Sequence, residues 1–147
     1  MNSSLVYLTQ TDTTVGFLSQ NDKKLCSAKQ RDSNQKILQV VDSFRTLKSF
    51  IRVPHNHKKF IRRAKTTTII YPNTTAFRVV SSHSKHQNFL QKFKVIYSTS
   101  ANKTKNNFDL KYASEQSDIL VYTQDGYKET TASSIYKVTK LKRVKIR

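Results

Sequence analysis

The sequence predicts a single α/β domain in which short buried strands alternate with helices. Its 147 residues fit one domain of ordinary size, and a hydrophobic content of 36% supports a modest core. Residues 95–97 form an apolar run that ends in the polar stretch 98–102, and this pattern is typical of a buried strand. Hydroxyls and an amide at a strand end can bind anionic oxygens and a base edge. We therefore predict a ligand site just beyond the carboxyl end of this strand, although a simple polar turn fits the same pattern.

Further β-rich runs predict the remaining strands of the sheet. Pro72-Asn73 separates two of these runs and predicts a hairpin. Arg78 lies inside the second run and faces the side opposite to its neighbours, so it is either exposed or turned into a polar cavity. The last run alternates cations with Val144 and Ile146, which fits a charge-protected edge strand or a basic rim facing nucleic acid. The predicted strands cover residues 5–8, 66–71, 75–80, 95–97, 119–122, 133–138 and 141–147.

Helical patterns lie between these runs. Asn21-Asp22 predicts the start of a short helix that ends near Lys29 and Arg31. The apolar residues between 37 and 51 recur at helical spacing, which predicts the clearest amphipathic helix of the chain. Shorter helices are predicted at 83–93 and 110–115. Residues 54–65 predict a basic helix that either faces RNA or is a solvated surface.

The charge balance favours polyanionic partners. The chain carries 27 Lys and Arg against 9 Asp and Glu, which gives a net charge of +18. A Lys-rich composition that reflects genomic base bias would produce the same count without any partner. The surface as a whole therefore leaves both explanations open.

Several classes of protein and site receive no support from the sequence. Cys26 is the single cysteine, so no disulfide or cysteine-based metal site forms within the chain. The chain contains no P-loop, no G-x-G-x-x-G and no zinc pattern, and acidic residues are too few for a multi-aspartate metal site. The apolar run near the N-terminus is too short for a signal peptide, and no stretch reaches transmembrane length. We expect a cytoplasmic protein with no membrane contact.

Several short motifs, taken in order, resemble those of the YrdC/TsaC family of threonylcarbamoyl-AMP synthases. Residues 11–16 (T-D-T-T-V-G) resemble the family loop P-T-[DE]-T-x-[YF]-G, with Gln10 in place of the proline. Residues 98–102 (S-T-S-A-N) match the family motif S-x-S-A-N. The other matching segments are K-Q-R at 29–31, T-T-T-I-I at 66–70, A-F-R-V at 76–79, S-S-I at 133–135 and V-K-I-R at 144–147.

This resemblance implies a fold and an activity. The implied fold is a YrdC-like twisted, mixed, open sheet flanked by helices, as a single domain over residues 1–147. The implied reaction joins L-threonine, bicarbonate and ATP, with Mg²⁺ accompanying the ATP, into threonylcarbamoyl-AMP and pyrophosphate. The product serves adenosine 37 of tRNA and passes to the threonylcarbamoyl-transfer enzymes of the same pathway.

The resemblance also assigns candidate binding residues. They position substrates and neutralise charge, and none is an obvious general base, since a carboxylate nucleophile is already ionised. The residues implied for ATP binding are Lys29, Arg31, Asn34, Thr68, Ser100, Asn102 and Arg147. The residues implied for threonine binding are Thr13, Arg78, Ser98 and Ser133. If Lys29 and Arg31 are phosphate ligands, we expect their replacement by alanine to weaken ATP binding while stability changes little.

The chain departs from the family pattern at several points, which leaves a second function open. Ala64-Lys65 replaces a Pro-Gly pair, Val15 replaces an aromatic residue, and Lys105 lies where a glycine usually follows S-A-N. Replacement of a glycine can strain a loop that needs positive φ. The alternative is a catalytically weakened, YrdC-like protein that binds double-stranded RNA, tRNA or nucleotide without turnover.

Overall fold

The computed structural model describes residues 2–32, 34–104 and 106–147. The strands are β1 (Tyr7–Gln10), β2 (Val15–Ser19), β3 (Leu38–Val41), β4 (Thr67–Ile70), β5 (Ala76–Val79), β6 (Val95–Ser100), β7 (Ile119–Val121), β8 (Ser134–Val138) and β9 (Arg143–Lys145). The helices are α1 (Asp22–Lys29), α2 (Phe44–Phe50), α3 (Lys58–Arg63), α4 (Lys85–Leu90) and α5 (Leu110–Glu115), and a short 3₁₀ turn (His55–His57) precedes α3.

The strands form one nine-stranded mixed sheet in the order β7-β1-β2-β6-β3-β5-β4-β8-β9. Three neighbouring pairs are parallel, namely β1 with β7, β3 with β5 and β4 with β8. The other pairs are antiparallel. A mixed sheet flanked by helices is the predicted fold class, which the structure confirms.

Helices cover the two faces of the sheet unequally, because successive strand residues point to opposite sides. On one face, α1 and α5 pack on β1 and β2 through a cluster that includes Leu25, Phe17 and Tyr112. On the same face, α2 and α3 pack on β3, β4 and β5 through a cluster that includes Leu47 and Ile61. The other face carries only α4, through Phe89, Leu90 and Phe93. The part of this second face that α4 leaves uncovered is open to a ligand.

Side-chain caps fix the start of the helices. Asn21 Oδ1 accepts a hydrogen bond from the backbone N–H of Lys24 at 3.1 Å, which confirms the predicted start of α1. Gln30 adopts a left-handed conformation with φ of 53° and ends the same helix. Ser43 caps α2 by accepting from the N–H of Thr46 at 3.1 Å.

The predicted amphipathic helix between residues 37 and 51 is wrong in its first half. Residues 38–41 form β3, in the middle of the sheet, and the helix begins only at Phe44. Val40 packs toward α4 and Val41 toward α2, so the strand is buried on both faces. A strand that is buried on both faces has consecutive apolar residues. The apolar residues of β3 and those of the helix that follows happen to fall at helical spacing, so the two elements read as one long helix.

The first two strands also differ from the prediction. The first strand runs from Tyr7 to Gln10, two residues later than expected. Residues 15–19, of which the sequence analysis assigned Gly16 to a loop, form the buried strand β2, which pairs antiparallel with β1. The polar run of residues 9–14 just before Val15 and the glycine at position 16 hide this strand in the sequence.

The remaining elements agree with their predictions. The hairpin of residues 66–80 is present as β4 and β5, and the charged last strand is β9, at the edge of the sheet. The helices predicted at 83–93 and 110–115 are present as α4 and α5. Among the helices of the described ranges, none has the length and apolar character needed to cross a membrane.

Candidate functional site

A cavity of about 400 Å³ lies on the sheet face that α4 leaves partly uncovered. Its floor consists of alternate residues of neighbouring strands, which therefore point to the same side. These residues are Gly16, Leu38, Thr68, Ile70, Ala76, Arg78, Ser98, Ser100 and Ile135. Arg78 is turned into this cavity and is 4% exposed, which decides between the two orientations that the sequence left open.

Ser98 and Ser100, which the sequence analysis placed at a ligand site, line the cavity, but the strand that carries them is longer than predicted. Strand β6 extends to Ser100, so Ser98 and Ser100 lie on its face rather than in a following loop. Strand β6 pairs antiparallel with both of its neighbours, whereas the rule that ligands bind at carboxyl ends applies to parallel strands.

Thr11 holds the loop between β1 and β2 in a tight turn at one wall of the cavity. Its hydroxyl donates to the carbonyl of Thr14 at 2.6 Å and accepts from the N–H groups of Thr13 and Thr14. The backbone N–H of Thr11 also donates to the carbonyl of Thr14, at 3.2 Å. A threonine that bonds its own loop in this way fixes the direction of the neighbouring side chains.

Arg78 links this loop to the floor of the cavity. Its Nη2 lies 3.1 Å from Asp12 Oδ1, and its Nη1 donates to Thr13 Oγ1 at 3.1 Å. Burial lowers the pKa of Arg78, and the charge of Asp12 opposes this change. Burial raises the pKa of Asp12, which the charge of Arg78 opposes. The ion pair therefore keeps a cation and a threonine hydroxyl fixed in a buried wall of the cavity.

Thr68, Ser133 and Arg147 form a hydrogen-bonded group next to Arg78, because Thr68 pairs with Arg78 across β4 and β5. The hydroxyls of Thr68 and Ser133 are 3.0 Å apart and hydrogen bonded. The guanidinium of Arg147 donates from Nε and Nη2 to the carbonyl oxygen of Ser133, at 3.1 and 3.0 Å. Arg147 thus reaches the cavity from the last strand, as the sequence analysis expected of it.

Lys29 lies outside the lining of the cavity, at the end of α1. It is 7% exposed, and its ammonium donates to the carbonyl and hydroxyl oxygens of Ser100 at 3.0 and 3.1 Å. It also donates to the carbonyl oxygen and the side-chain oxygen of Asn102. Burial, with the positive charge of Arg31, lowers the pKa of Lys29 to about 8. A direct contact with a phosphate would require Lys29 to leave these protein oxygens.

The remaining predicted ligands have different positions. Arg31 is exposed and lines the cavity, and its Nε donates to Gln35 Oε1. Asn34 is exposed and lines a separate surface depression. Asn102 is bound to Lys29 and to the carbonyl of Asn106, and it does not line the cavity. Lys105, where the family pattern has glycine, lies outside the described residues.

The cavity thus brings together most of the predicted binding residues. Those that line it are Thr13, Arg31, Thr68, Arg78, Ser98, Ser100, Ser133 and Arg147. The sequence analysis missed Lys36, whose ammonium donates to the carbonyl of Asn73 at 2.9 Å at the rim. It also missed Thr11, although the hydroxyl-rich run that begins at Thr11 was a signal. No sequence pattern singled out Lys36.

The cavity offers hydroxyls and guanidinium groups rather than metal ligands. Among the residues that the structure describes, no three His, Cys, Asp or Glu side chains lie close enough to hold a metal ion. Asp12, the acidic residue of this wall, is already paired with Arg78. These groups suit an anionic or zwitterionic ligand with several oxygens.

The fold is that of a small α/β domain with a polar cavity on an open face of a mixed sheet. A family model named Sua5/YciO/YrdC, with the description "Telomere recombination", matches residues 6–147. The chain belongs to the Sua5/YciO/YrdC family. No curated protein matches the chain by sequence.

Solved structures share the fold at low sequence identity. Sua5 from P. abyssi, complexed with L-threonine, is 16% identical with a TM-score of 0.74, over 97% of this chain and 50% of that one. YciO from E. coli is 14% identical with a TM-score of 0.76, over 98% of this chain and 82% of that one. Full-length HypF in its phosphate- and nucleotide-bound form is 12% identical with a TM-score of 0.71, over 97% and 26%. The chain therefore spans about half the length of the P. abyssi Sua5 chain.

Proposed function

We propose that the chain is a threonylcarbamoyl-AMP synthase, which joins L-threonine, bicarbonate and ATP. The observation that carries this proposal is the single cavity in which hydroxyls from β4, β6 and the β1–β2 loop meet the guanidiniums of Arg31, Arg78 and Arg147. Its volume of about 400 Å³ falls within the range of about 300–1,000 Å³ common to small-molecule sites.

The threonine end of the cavity is the wall built on Arg78. Thr13, Ser98 and Ser133 are buried hydroxyls that can bond the amino, carboxylate and hydroxyl groups of an amino acid. Arg78 supplies a fixed positive charge for a carboxylate, because Asp12 and Thr13 hold its guanidinium in one orientation. The P. abyssi Sua5 structure, which has the same fold, is complexed with L-threonine, and this supports the assignment.

The nucleotide end of the cavity is its exposed rim. Arg31 and Arg147 are exposed there and can approach a triphosphate, and Ser100 and Thr68 offer hydroxyls to it. Mg²⁺ would arrive with ATP as part of the substrate, held by phosphates and water, since the wall offers no free carboxylate. The phosphate- and nucleotide-bound form of HypF, again the same fold, supports a nucleotide at this site.

Lys29 acts at one remove from the nucleotide in this proposal. It binds the oxygens of Ser100 and Asn102 and so fixes the end of β6 against α1. We assign it the role of a positioning residue for Ser100. Asn34 and Asn102 stay as weaker candidates, because neither lines the cavity.

The reaction needs little covalent help from the protein. The amino nitrogen of threonine combines with bicarbonate to give N-carboxy-threonine and water. An oxygen of the new carboxylate bonds to the α-phosphorus of ATP, the bond to the bridging oxygen breaks, and pyrophosphate leaves. The cavity contributes alignment of the two anions and positive charge that offsets their repulsion. The product then passes to cytoplasmic threonylcarbamoyl-transfer enzymes that modify tRNA.

A direct assay tests the proposal. The protein is incubated with ATP, Mg²⁺, bicarbonate and L-threonine, and pyrophosphate release is measured with and without threonine. Threonine-dependent release that the Arg147→Ala variant loses at least tenfold is the expected result. Release that is absent, or that is the same without threonine, would contradict the proposal.

A second candidate function, nucleic-acid binding without turnover, is favoured by the distribution of charge. All acidic residues lie within residues 12–42 and 109–129, whereas residues 43–108 and 130–147 contain none and carry most of the 27 cations. These acid-free segments include β5, β4, β8 and β9, which form one end of the sheet, together with α2 and α3; they also include α4 and the inner strand β6. Positive charge that is concentrated on one part of a surface favours the binding of a polyanion such as a nucleic acid.

Aromatic contacts hold several of these cations in place. Arg143 lies 3.9 Å from the ring centre of Phe60, and Arg62 lies 5.0 Å from that of Phe44. Lys48 also lies over Phe44, at 5.9 Å. None of these three cations forms an ion pair with any described residue. Cations that are ordered but unpaired lose less entropy when they bind phosphates.

A charge-reversal experiment separates this second function from the first. Anisotropy of a labelled RNA duplex is measured for Lys59→Glu/Lys145→Glu, on the acid-free end, and for the matched control Lys23→Glu/Lys111→Glu. If the chain is an RNA-binding module, affinity falls several-fold more in the first variant, declines steeply with salt, and exists without pyrophosphate release. Equal losses in the two variants would indicate unspecific attraction by the net charge.

A further inference from the structure

A second cavity, of about 570 Å³, lies on the far side of the β1–β2 loop from the first one. Its walls are α4, the ends of β1 and β7, and the segment 121–130 that follows β7. Asp12 lines this cavity, while its ion-pair partner Arg78 lines the first. Thr11 is the one described residue that lines both cavities, and Asp12 touches the proposed substrate site only through its ion pair with Arg78.

The strand directions favour a ligand at this position. Strands β1 and β7 are adjacent and parallel, and Gln10 and Val121, at their carboxyl ends, both line the cavity. A crevice at the carboxyl ends of adjacent parallel strands is where α/β sheets bind ligands. The rule does not apply to β6, which is antiparallel to both of its neighbours, but it applies to these two strands because they run in parallel.

His86 gives this cavity an unsatisfied polar group. Its side chain lines the cavity and is 4% exposed, and its ring is stacked on Phe89 at 5.9 Å between centroids. Neither ring nitrogen has a hydrogen-bond partner within the described ranges. A buried imidazole without partners is costly, and a ligand that bonds to it removes that cost.

The charges at the mouth specify the sign of the ligand. The two carboxylates of the lining are already paired, Asp12 with Arg78 and Asp125 with Lys85. Lys92 and Lys128 are exposed and form no ion pair with a described residue, so the cavity carries unpaired positive charge. The rest of the lining includes the apolar side chains of Phe89 and Val121.

We propose that this second cavity binds a small organic anion, a phosphomonoester or a carboxylate with an apolar body. The anionic group lies at Lys92 and Lys128, the apolar part lies against Phe89 and Val121, and a hydrogen bond reaches His86. This proposal does not depend on the proposed synthase activity, because its test measures binding alone.

Binding of two matched probes tests the proposal. Phenyl phosphate and benzoate carry the same ring with the two anionic groups, and calorimetry measures the affinity of each. Side-chain ¹H–¹⁵N spectra report whether the ring nitrogens of His86 move. We expect at least one probe to bind and to shift His86, and the stronger probe identifies which anionic group the site prefers. If neither binds at millimolar concentration, or if binding leaves His86 unmoved, the proposal fails.

Variants locate the binding site. Lys92→Ala/Lys128→Ala is expected to weaken binding at least tenfold, whereas the matched control Lys59→Ala/Lys111→Ala leaves it unchanged. Arg31→Ala, at the first cavity, is also expected to leave the His86 shift unchanged. His86→Phe keeps the aromatic stack on Phe89 but loses both nitrogens, and a several-fold loss is expected. Full affinity in both the lysine variant and His86→Phe would overturn the proposal.

Discussion

At the scale of single residues, Lys29 shows how a predicted ligand can have a structural role. Its ammonium is surrounded by oxygens of Ser100 and Asn102, with little solvent exposure. The expectation that its replacement would leave stability unchanged is therefore not supported by the contacts. Arg31, two residues on, is exposed and its guanidinium donates to Gln35, so for this residue the expectation stays a prediction.

We predict that Lys29→Met and Arg31→Ala separate stability from nucleotide binding. Lys29→Met leaves buried oxygens without a donor and should lower the free energy of unfolding by about 2–4 kcal/mol. Arg31→Ala should change it by no more than about 0.5 kcal/mol while weakening ATP binding. Urea unfolding and ATP titration measure the two effects. Equal stability of the two variants would show that the Lys29 contacts contribute nothing to the fold.

His86 makes stability depend on pH. Burial, with the charge of Arg78, lowers the pKa of His86 to about 3, from 6.5 in the unfolded chain. Between these values the unfolded chain binds a proton that the folded protein does not, so stability falls as pH falls from 6.5 towards 3. At pH 5 the loss is about 2 kcal/mol relative to neutral pH.

The His86→Phe variant isolates this contribution. Urea unfolding at pH 7.5 and pH 5 should show a smaller loss for His86→Phe than for the parent protein. His55→Gln is the matched control, because His55 is exposed, and it should keep the full loss. The assignment to His86 would be wrong if His86→Phe lost as much stability at pH 5 as the parent protein.

At the scale of elements, the close approach of β2 and β6 depends on Gly16. A Cβ at this position would lie 3.0 Å from the carbonyl oxygen of Thr99 and 3.2 Å from Cγ2 of Thr11. Gly16→Ala should therefore push β2 away from β6 or displace the Thr11 turn, with a cost of about 1–3 kcal/mol. Thermal unfolding and threonine titration measure both consequences.

Gly126 provides the control for this prediction. It has a φ of 66°, and nothing lies within 4 Å of an added Cβ. Gly126→Asn should be almost neutral, because asparagine tolerates the left-handed region better than other residues. If Gly126→Asn destabilised the protein as much as Gly16→Ala, the close packing at Gly16 would not be the cause.

An element of the fold could be predicted when polar or turn residues mark its boundaries, and it was missed when both of its faces are buried. The β4–β5 hairpin was predicted because the turn residues Pro72 and Asn73 delimit it. The structure shows that Asp109 caps α5, a signal that the sequence analysis did not use. Strands β2 and β3 were missed because both their faces are buried, which removes the polar–apolar alternation that identifies a strand. Whether such a segment becomes a strand depends on its pairing with strands that are distant in sequence. Local sequence patterns do not reveal this pairing.

The site shows the same division between local and distant information. Thr13, Arg78 and Ser98 were singled out from short motifs, and the structure places all three in one cavity. The motifs could not show that Asp12 pairs with Arg78, because the two residues are 66 positions apart in the chain and only the fold brings them together. Likewise, Lys36 lies in a loop at the rim of the cavity, and no sequence pattern marks it as a binding residue.

At the scale of the whole molecule, the charge is polarised along the sheet. The end built from β5, β4, β8 and β9 derives from segments without an acidic residue, and all nine acidic residues lie in other parts of the chain. A net charge of +18 repels itself in the compact state, and the repulsion is greatest where cations have no counter-charges. Salt should therefore raise the free energy of unfolding, and the cations at the acid-free end should account for more of this increase than the cations elsewhere.

We predict that salt raises the melting temperature. Charge reversal at the acid-free end should raise it as well, so that less repulsion remains for salt to screen. Moving from 10 to 300 mM NaCl shortens the Debye length from about 30 to about 6 Å, which screens most repulsion between exposed cations. Lys59→Glu/Lys145→Glu should have a higher melting temperature than the parent protein at 10 mM NaCl and a smaller salt response. Lys23→Glu/Lys111→Glu should show a smaller change, because Asp22 and Asp109 lie nearby in sequence and already offset these lysines. Equal salt responses in the two variants would contradict the prediction, because the variants have the same net charge and only local repulsion can distinguish them.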